Sequence, residues 1–150
     1  MAAALHMTFI DTDSEIEKME KTSIAEIFEK KGEKYFRDLE TAYLDKISGA
    51  NGRIISTGGG MVLKDENVDK LRALGPLVLL RSSPEVIEKR LAATRNRPLL
   101  NVSDKAARIK QILSERDRRY NDIADLVVDT SDISPREAAE KIIEFYKGEK

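Results

Sequence analysis

Thr8-Phe9-Ile10-Asp11-Thr12-Asp13 decides the fold: a short apolar strand that runs straight into two acids. In open α/β sheets ligands bind beyond the carboxyl ends of parallel strands, so both carboxylates are placed to point into a cleft. A second segment repeats the arrangement with different chemistry. Ile55-Ser56-Thr57-Gly58-Gly59-Gly60 passes directly from strand to glycine turn. Consecutive glycines let backbone approach a ligand closely and present N–H donors to it.

Working outward, Met7–Asp11, Arg53–Ser56, Leu77–Arg81 and Asp125–Asp129 are the strand candidates. Their centres are continuously apolar, which predicts strands covered on both faces. Helical patterns lie between them. Ser23 and Glu26 form a capping box for a helix over Ser23–Lys30. Glu33–Ile47 carries Phe36, Leu39, Tyr43, Leu44 and Ile47 on one face. Ser83-Pro84 starts a helix to about Thr94, and Ser134-Pro135 with Glu137 starts one to about Tyr146. Asp104–Tyr120 is a long amphipathic helix with Ala106, Ile109, Ile112, Leu113 and Tyr120 inward. Strands alternating with helices predict an α/β fold, a parallel sheet flanked by helices. The 150 residues predict a single domain over 1–150, long enough to bury about 68–70% of its unfolded surface.

Composition narrows the function classes. A 35% charged chain with net charge −1 lacks the basic excess of a dedicated nucleic-acid binder. It has no cysteine, hence no disulfide and no thiolate metal site. Its longest apolar runs are about five residues, against the roughly 20 of a membrane span. Met1–His6 lacks the pattern of a signal peptide, so the expectation is a cytoplasmic protein with no membrane partner.

The Asp-x-Asp of Asp11 and Asp13 suits Mg²⁺, which reaches phosphate sites through one or two carboxylates plus waters. The second Asp could instead accept a proton from a substrate hydroxyl. A solvated turn with an Asp cap explains the same residues. Among the cations, Arg116 falls on the inward stripe of its helix, and Arg90 lies between Val86, Ile87 and Leu91. Charges are rarely buried unless paired or holding a ligand. Arg37 stands three residues before Glu40, on the Phe36–Tyr43 face, where it could form a buried fork or grip a carboxylate in two places. Internal salt bridges, or stems buried with heads in water, are the alternatives for all three. Thr94–Asn101 carries Arg95 and Arg97 ahead of Pro98 between two helices. Such a polar insert reads as a lid over phosphates, at about 94–103, or as a plain surface loop.

Taken in order, these pieces resemble shikimate kinase, of the nucleoside-monophosphate-kinase-like P-loop fold. The resemblance runs from about Ala3 through Phe9–Asp13, Ser23–Phe28, Gly32-Glu33, Phe36-Arg37-x-x-Glu40, Gly58-Gly59-Gly60-x-Val62, Arg97-Pro98-Leu99-Leu100, Arg116–Tyr120 and Asp125–Thr130. It implies phosphorylation of the 3-hydroxyl of shikimate by ATP with Mg²⁺, a step toward chorismate and the aromatic amino acids. Shikimate and ATP are the implied partners. By the same resemblance Asp13 binds the shikimate hydroxyls and serves as base, and Asp11 helps hold Mg²⁺. Arg37 and Arg116 grip the shikimate carboxylate, while Gly58, Gly59 and Gly60 line its pocket. Arg97 steadies the transferring phosphoryl group, and Arg90 faces the nucleotide.

Two departures stand out. Arg118-Arg119 replaces an apolar pair common in the family ahead of the tyrosine matching Tyr120, which bears on local packing. No G-x-x-x-x-G-K-[ST] occurs in the 150 residues, and Met1–Leu5 resembles only the last turn of the helix that follows that loop in the family. With the family strand order 2-3-1-4-5, the expectation is a sheet lacking its central first strand. Its exposed gap would be met by pairing with a second copy, by rearrangement, or by residues beyond those in the chain. The leading function is therefore shikimate kinase. A non-catalytic shikimate-binding or interaction protein is the alternative, and a different small-molecule kinase, such as a gluconate kinase, is a weaker third.

Overall fold

Four-residue runs rich in Val, Ile and Leu form the strands, and each feeds a helix or turn whose first residues carry the polar groups. The computed structural model describes residues 1–49, 51–92 and 105–148. The order is α1 (Ala2–Leu5), β1 (Thr8–Asp11), α2 (Thr12–Glu20), α3 (Ile24–Ile47), β2 (Arg53–Ser56), a 3-10 turn (Met61–Leu63), α4 (Asp65–Leu74), β3 (Val78–Arg81), α5 (Pro84–Ala92), α6 (Lys105–Ile123), β4 (Leu126–Asp129) and α7 (Pro135–Gly148). The chain divides into two compact units, Met1–Gly75 and Pro76–Lys150.

In the first unit β1 pairs with β2 in parallel, from Thr8 opposite Arg53 to Asp11 opposite Ser56. Buried Thr12 closes the carboxyl end, donating from Oγ1 to the Ser56 carbonyl at 3.0 Å. The expected capping box is present: Ser23 and Glu26 exchange side-chain and backbone bonds at the start of α3. The two helices expected over residues 23–47 are continuous except at Gly32, whose φ of 80° and ψ of 169° kink the chain. That φ costs a glycine little and a side chain much. Phe28 and Phe36 pack across the kink, ring centroids 5.0 Å apart. Ile16, Ile27, Leu44 and Met61 are fully buried and form the centre of this core.

In the second unit β3 pairs with β4 in parallel, from Val78 opposite Leu126 to Arg81 opposite Asp129. Asp125 locks the start of the pair by accepting from the Leu77 amide at 2.7 Å. Ser134 and Glu137 cap α7 reciprocally, at 2.7 and 3.2 Å. Among its described residues, Ile109, Ile123, Val128 and Ala138 are buried and apolar.

Parallel α/β architecture and all four strand positions agree with the sequence. The two pairs are the 2-3 and 4-5 neighbours of the expected order, and the described strands form two separate two-stranded sheets. One expectation is overturned. The strands are not covered on both faces: Phe9 is 58% and Leu80 59% exposed, and Val127 is exposed too. Along β4 exposure alternates, with Val127 open and Val128 buried, as side chains on opposite faces of a strand do; in β1 and β3 it is one half of the strand that is open, the first two residues of β1 and the last two of β3.

Candidate active site

The carboxyl end of β1 turns directly into α2, and this places both acids. Asp11 is the N-cap of α2, its Oδ1 accepting from the Ser14 amide at 3.0 Å. An acid there also complements the helix dipole. Asp13, half-buried, sits in the first turn. The chain leaving β2 comes back to it. Gly58 takes φ +62°, and a Cβ built on it would lie 3.7 Å from both Asp13 carboxylate oxygens. The left-handed φ, not crowding, is what requires glycine there. Gly60 is different: its backbone is ordinary, but a Cβ would overlap the Arg37 guanidinium. The glycine turn thus runs beside Asp13 at Gly58 and against Arg37 at Gly60, with Gly59 exposed between them.

Arg37 is held on both sides. Its Nη1 donates to both oxygens of Glu40, at 2.9 and 2.8 Å, while Nη2 and Nε share Glu33 Oε1 at 2.9 and 3.3 Å. Its side chain is 13% exposed and that of Glu40 only 2%. Burial pulls the Arg37 pKa down, but the hydrogen bonds to Glu40 and Glu33 outweigh it and the net direction is up. Burial is also the largest influence on Glu40. It outweighs the Arg37 bonds, the Asp13 charge adds to it, and the carboxyl is pushed above its ordinary value. The buried fork expected from the Arg37–Glu40 spacing is therefore present. A ligand carboxylate reaching Arg37 must share its Nη2 edge with Glu33, whose side chain is about half exposed.

The other candidates belong to the second unit. Arg90 is exposed on α5 rather than facing inward. Its Nη1 donates to Ser82 Oγ at 2.9 Å and Thr130 Oγ1 at 3.2 Å, and its Nη2 to the Thr130 carbonyl at 2.7 Å. Ser82 and Thr130 directly follow β3 and β4, so Arg90 stands at the carboxyl edge of that sheet. Arg116 is half-buried on α6. Arg97 and the lid over about 94–103 lie outside the described residues.

The whole-chain comparisons agree with one another. The shikimate kinase family model matches residues 1–147. The chain belongs to the shikimate kinase family. It is 47% identical over 146 residues to the shikimate kinase of Caldanaerobacter subterraneus subsp. tengcongensis, covering 97% of this chain and 85% of that protein. The Thermodesulfovibrio yellowstonii shikimate kinase is 44% identical, with 98% and 84% covered. Among solved structures, shikimate kinase from Acinetobacter baumannii in complex with shikimate superposes with a TM-score of 0.93 at 32% identity, over 99% of this chain and 83% of that one. Shikimate kinase from Aquifex aeolicus gives 0.81 at 35% identity, over 99% and 86%. The family is one of kinases with ATP as co-substrate.

Three residues beside the shikimate kinase motifs escaped the sequence reading as site residues. Glu33 stands in the sequence as a helix start and in the Gly32-Glu33 pair, without a site role. Lys64 follows the 3-10 turn and donates to Asp38 at 2.9 Å, Thr41 at 3.3 Å and the Arg37 carbonyl at 3.4 Å. Asn67 is buried on α4 beside Val68 and donates to the Met61 carbonyl at 3.0 Å. The signal for Asn67 was available, since it shares a helix face with buried Leu71, four residues on. The departure at Arg118 is accommodated on the surface, 3.6 Å from Asp122 one turn away.

Proposed function

We propose that the chain phosphorylates the 3-hydroxyl of shikimate from ATP, with the Asp13–Gly58–Gly60–Arg37 cluster as its acceptor site. The observation that carries this reading is the glycine turn, whose two ends meet a carboxylate and a guanidinium. A hydroxylated carboxylate needs those two groups on opposite sides. It fits the family, and one solved relative is in complex with shikimate.

In this reading Asp13 accepts hydrogen bonds from the shikimate hydroxyls and takes the proton of the attacking one. Arg37 binds the carboxylate together with Arg116, and Gly58, Gly59 and Gly60 line the pocket. Arg97 steadies the phosphoryl group under a lid at about 94–103, Arg90 serves the nucleotide side, and both units act as one domain. Asp11 is the donor for Mg²⁺. No cluster of three or more metal-ligating side chains occurs among the described residues. A carboxylate at a strand end fits a cation that keeps most of its waters. Bound there, Mg²⁺ would neutralise charge on the transferring phosphate. No helix among the described residues is long and apolar enough to cross a membrane. The cytoplasm is the proposed compartment, with shikimate and ATP as small-molecule partners. Self-association would use exposed strand residues such as Phe9 and Leu80, and sedimentation at two concentrations tests it.

The direct test is shikimate-dependent ADP release from Mg-ATP by this chain, with Asp13→Asn as control. Turnover abolished in the control supports the reading. Turnover that survives it removes Asp13 from the base role. Shikimate binding without turnover favours the non-catalytic alternative.

A further inference from the structure

We infer that Asn67 is a positioning residue for the acceptor site, holding the turn that sets Gly60 beneath Arg37. The inference rests on the functional reading above and adds a residue to it. Asn67 is fully buried on α4, on a stripe with Val68 and Leu71 where an apolar side chain would pack as well. Its Oδ1 is buried and has no hydrogen-bond partner among the described residues. Burying an unsatisfied amide oxygen is costly, and such a group calls for a reason. The other end of the amide supplies one.

Nδ2 donates to the carbonyl of Met61, the residue after Gly60. Met61 opens a 3-10 turn of three residues, closed by the Leu63 amide donating to the Gly60 carbonyl at 3.1 Å. One such turn is weak by itself. It has an external tie at each end: Asn67 holds Met61, and Lys64 holds the exit to α3 at Arg37, Asp38 and Thr41. Precision matters because Gly60 has no clearance. The Arg37 guanidinium occupies the space of its missing Cβ, so a small drift of the turn displaces the cation. Lys64 acts from a partly exposed position where water can replace it, whereas the Asn67 bond is buried.

The test separates positioning from mere packing. Asn67→Leu keeps the size and removes both the donor and the unsatisfied oxygen. Expected are a melting temperature close to that of the unsubstituted chain, since losing the unsatisfied Oδ1 offsets leaving the buried Met61 carbonyl without its donor, faster hydrogen exchange at the Leu63 amide, and shikimate affinity lower by about tenfold in calorimetric titration. A packing role predicts the reverse, lowered stability with affinity intact, and that result overturns the inference. Should leucine overpack the site, Asn67→Ala gives the same comparison of affinity and Leu63 exchange. If the unsubstituted chain takes up no shikimate, the functional reading fails. If it binds shikimate and both Asn67 variants bind equally well, the inference alone fails.

Discussion

In the first unit the arginine against the glycine turn is 13% exposed and lies between two carboxylates; in the second, Arg90 is exposed and donates to two hydroxyls and a carbonyl. Both guanidiniums stand near the carboxyl ends of a parallel strand pair, yet they are oriented by different means. Carboxylates fix a buried cation strongly but also cancel its charge, and they pass the cost of burial to the partner acid. The hydroxyls and carbonyl among Arg90's described partners orient it without cancelling its charge. A site for a substrate of fixed shape gains from the first arrangement, while an exposed cation can follow a more mobile ligand.

The largest effect should come from breaking the buried pair. Arg37→Ala leaves Glu40 ionised, buried and short of its main partner, at a cost of about 3–5 kcal/mol in stability. Glu40 is already pushed upward by burial, so losing Arg37 raises it further. An acid with a raised folded pKa destabilises when ionised, so the loss should be greater at pH 8 than at pH 5. Urea midpoints at the two pH values check this. Shikimate affinity should fall sharply in the same variant, and unchanged affinity would count against the site. Next come the glycines. Gly60→Ala puts a methyl group into the Arg37 guanidinium and should cost about 1–3 kcal/mol together with shikimate affinity. Gly58→Ala meets ordinary contact with Asp13 but keeps φ +62°, so about 1–2 kcal/mol is expected from backbone strain alone. Thermal melts of the two, read beside titrations, separate crowding from strain.

These residues also show where sequence legibility stops. The strands, capping boxes and Arg37–Glu40 pair were readable because each rests on local spacing: apolar runs, Ser-x-x-Glu, and one helical turn. Exposure of Phe9 and Leu80 was not, because an apolar run reports hydrophobicity and not which neighbours cover it. Arg90 was assigned to an inward stripe, yet a long side chain can leave its helix face to reach the next loop, as it does toward Thr130. Gly60 reads like Gly58 in the sequence; only the fold reveals that one is required by the space Arg37 fills and the other by φ. Lys64 lies far from Arg37 in the sequence, and only the fold brings its ammonium to the Arg37 carbonyl.

A smaller effect sharpens the contrast from the second unit. Thr130→Val removes the Oγ1 that meets Arg90, Ser82 and the Arg81 carbonyl, but leaves the carbonyl that accepts from Arg90 Nη2. With the site exposed, a stability change of about 0.5–1.5 kcal/mol is expected. Shikimate affinity should hold, and ATP affinity should weaken if Arg90 serves the nucleotide. A stability loss as large as that of Arg37→Ala would erase the distinction between the two arginines.

The smallest effect tests the electrostatic logic within the first unit. Glu26 and Glu40 lie on the same helix, α3, and shift in opposite directions. Glu40 is raised by burial, whereas Glu26 is lowered from 4.5 to about 2, first by the Thr22 hydroxyl at 2.6 Å, then by Lys30 at 3.1 Å and the Ser23 amide at 3.4 Å. A depressed folded pKa means the Glu26 contribution is fully present above pH 4.5 and is lost as the pH falls through about 2. Glu26→Gln keeps the size and an oxygen acceptor but not the charge. Its melting temperature should lie below that of the unsubstituted chain at pH 6, and the two should converge as the pH approaches 2. Because Glu26 is solvent-accessible, added salt should shrink the gap at pH 6, while the deficit of Arg37→Ala, set by burial, should persist. Equal salt sensitivity in the two variants would mean that burial does not separate these carboxylates after all.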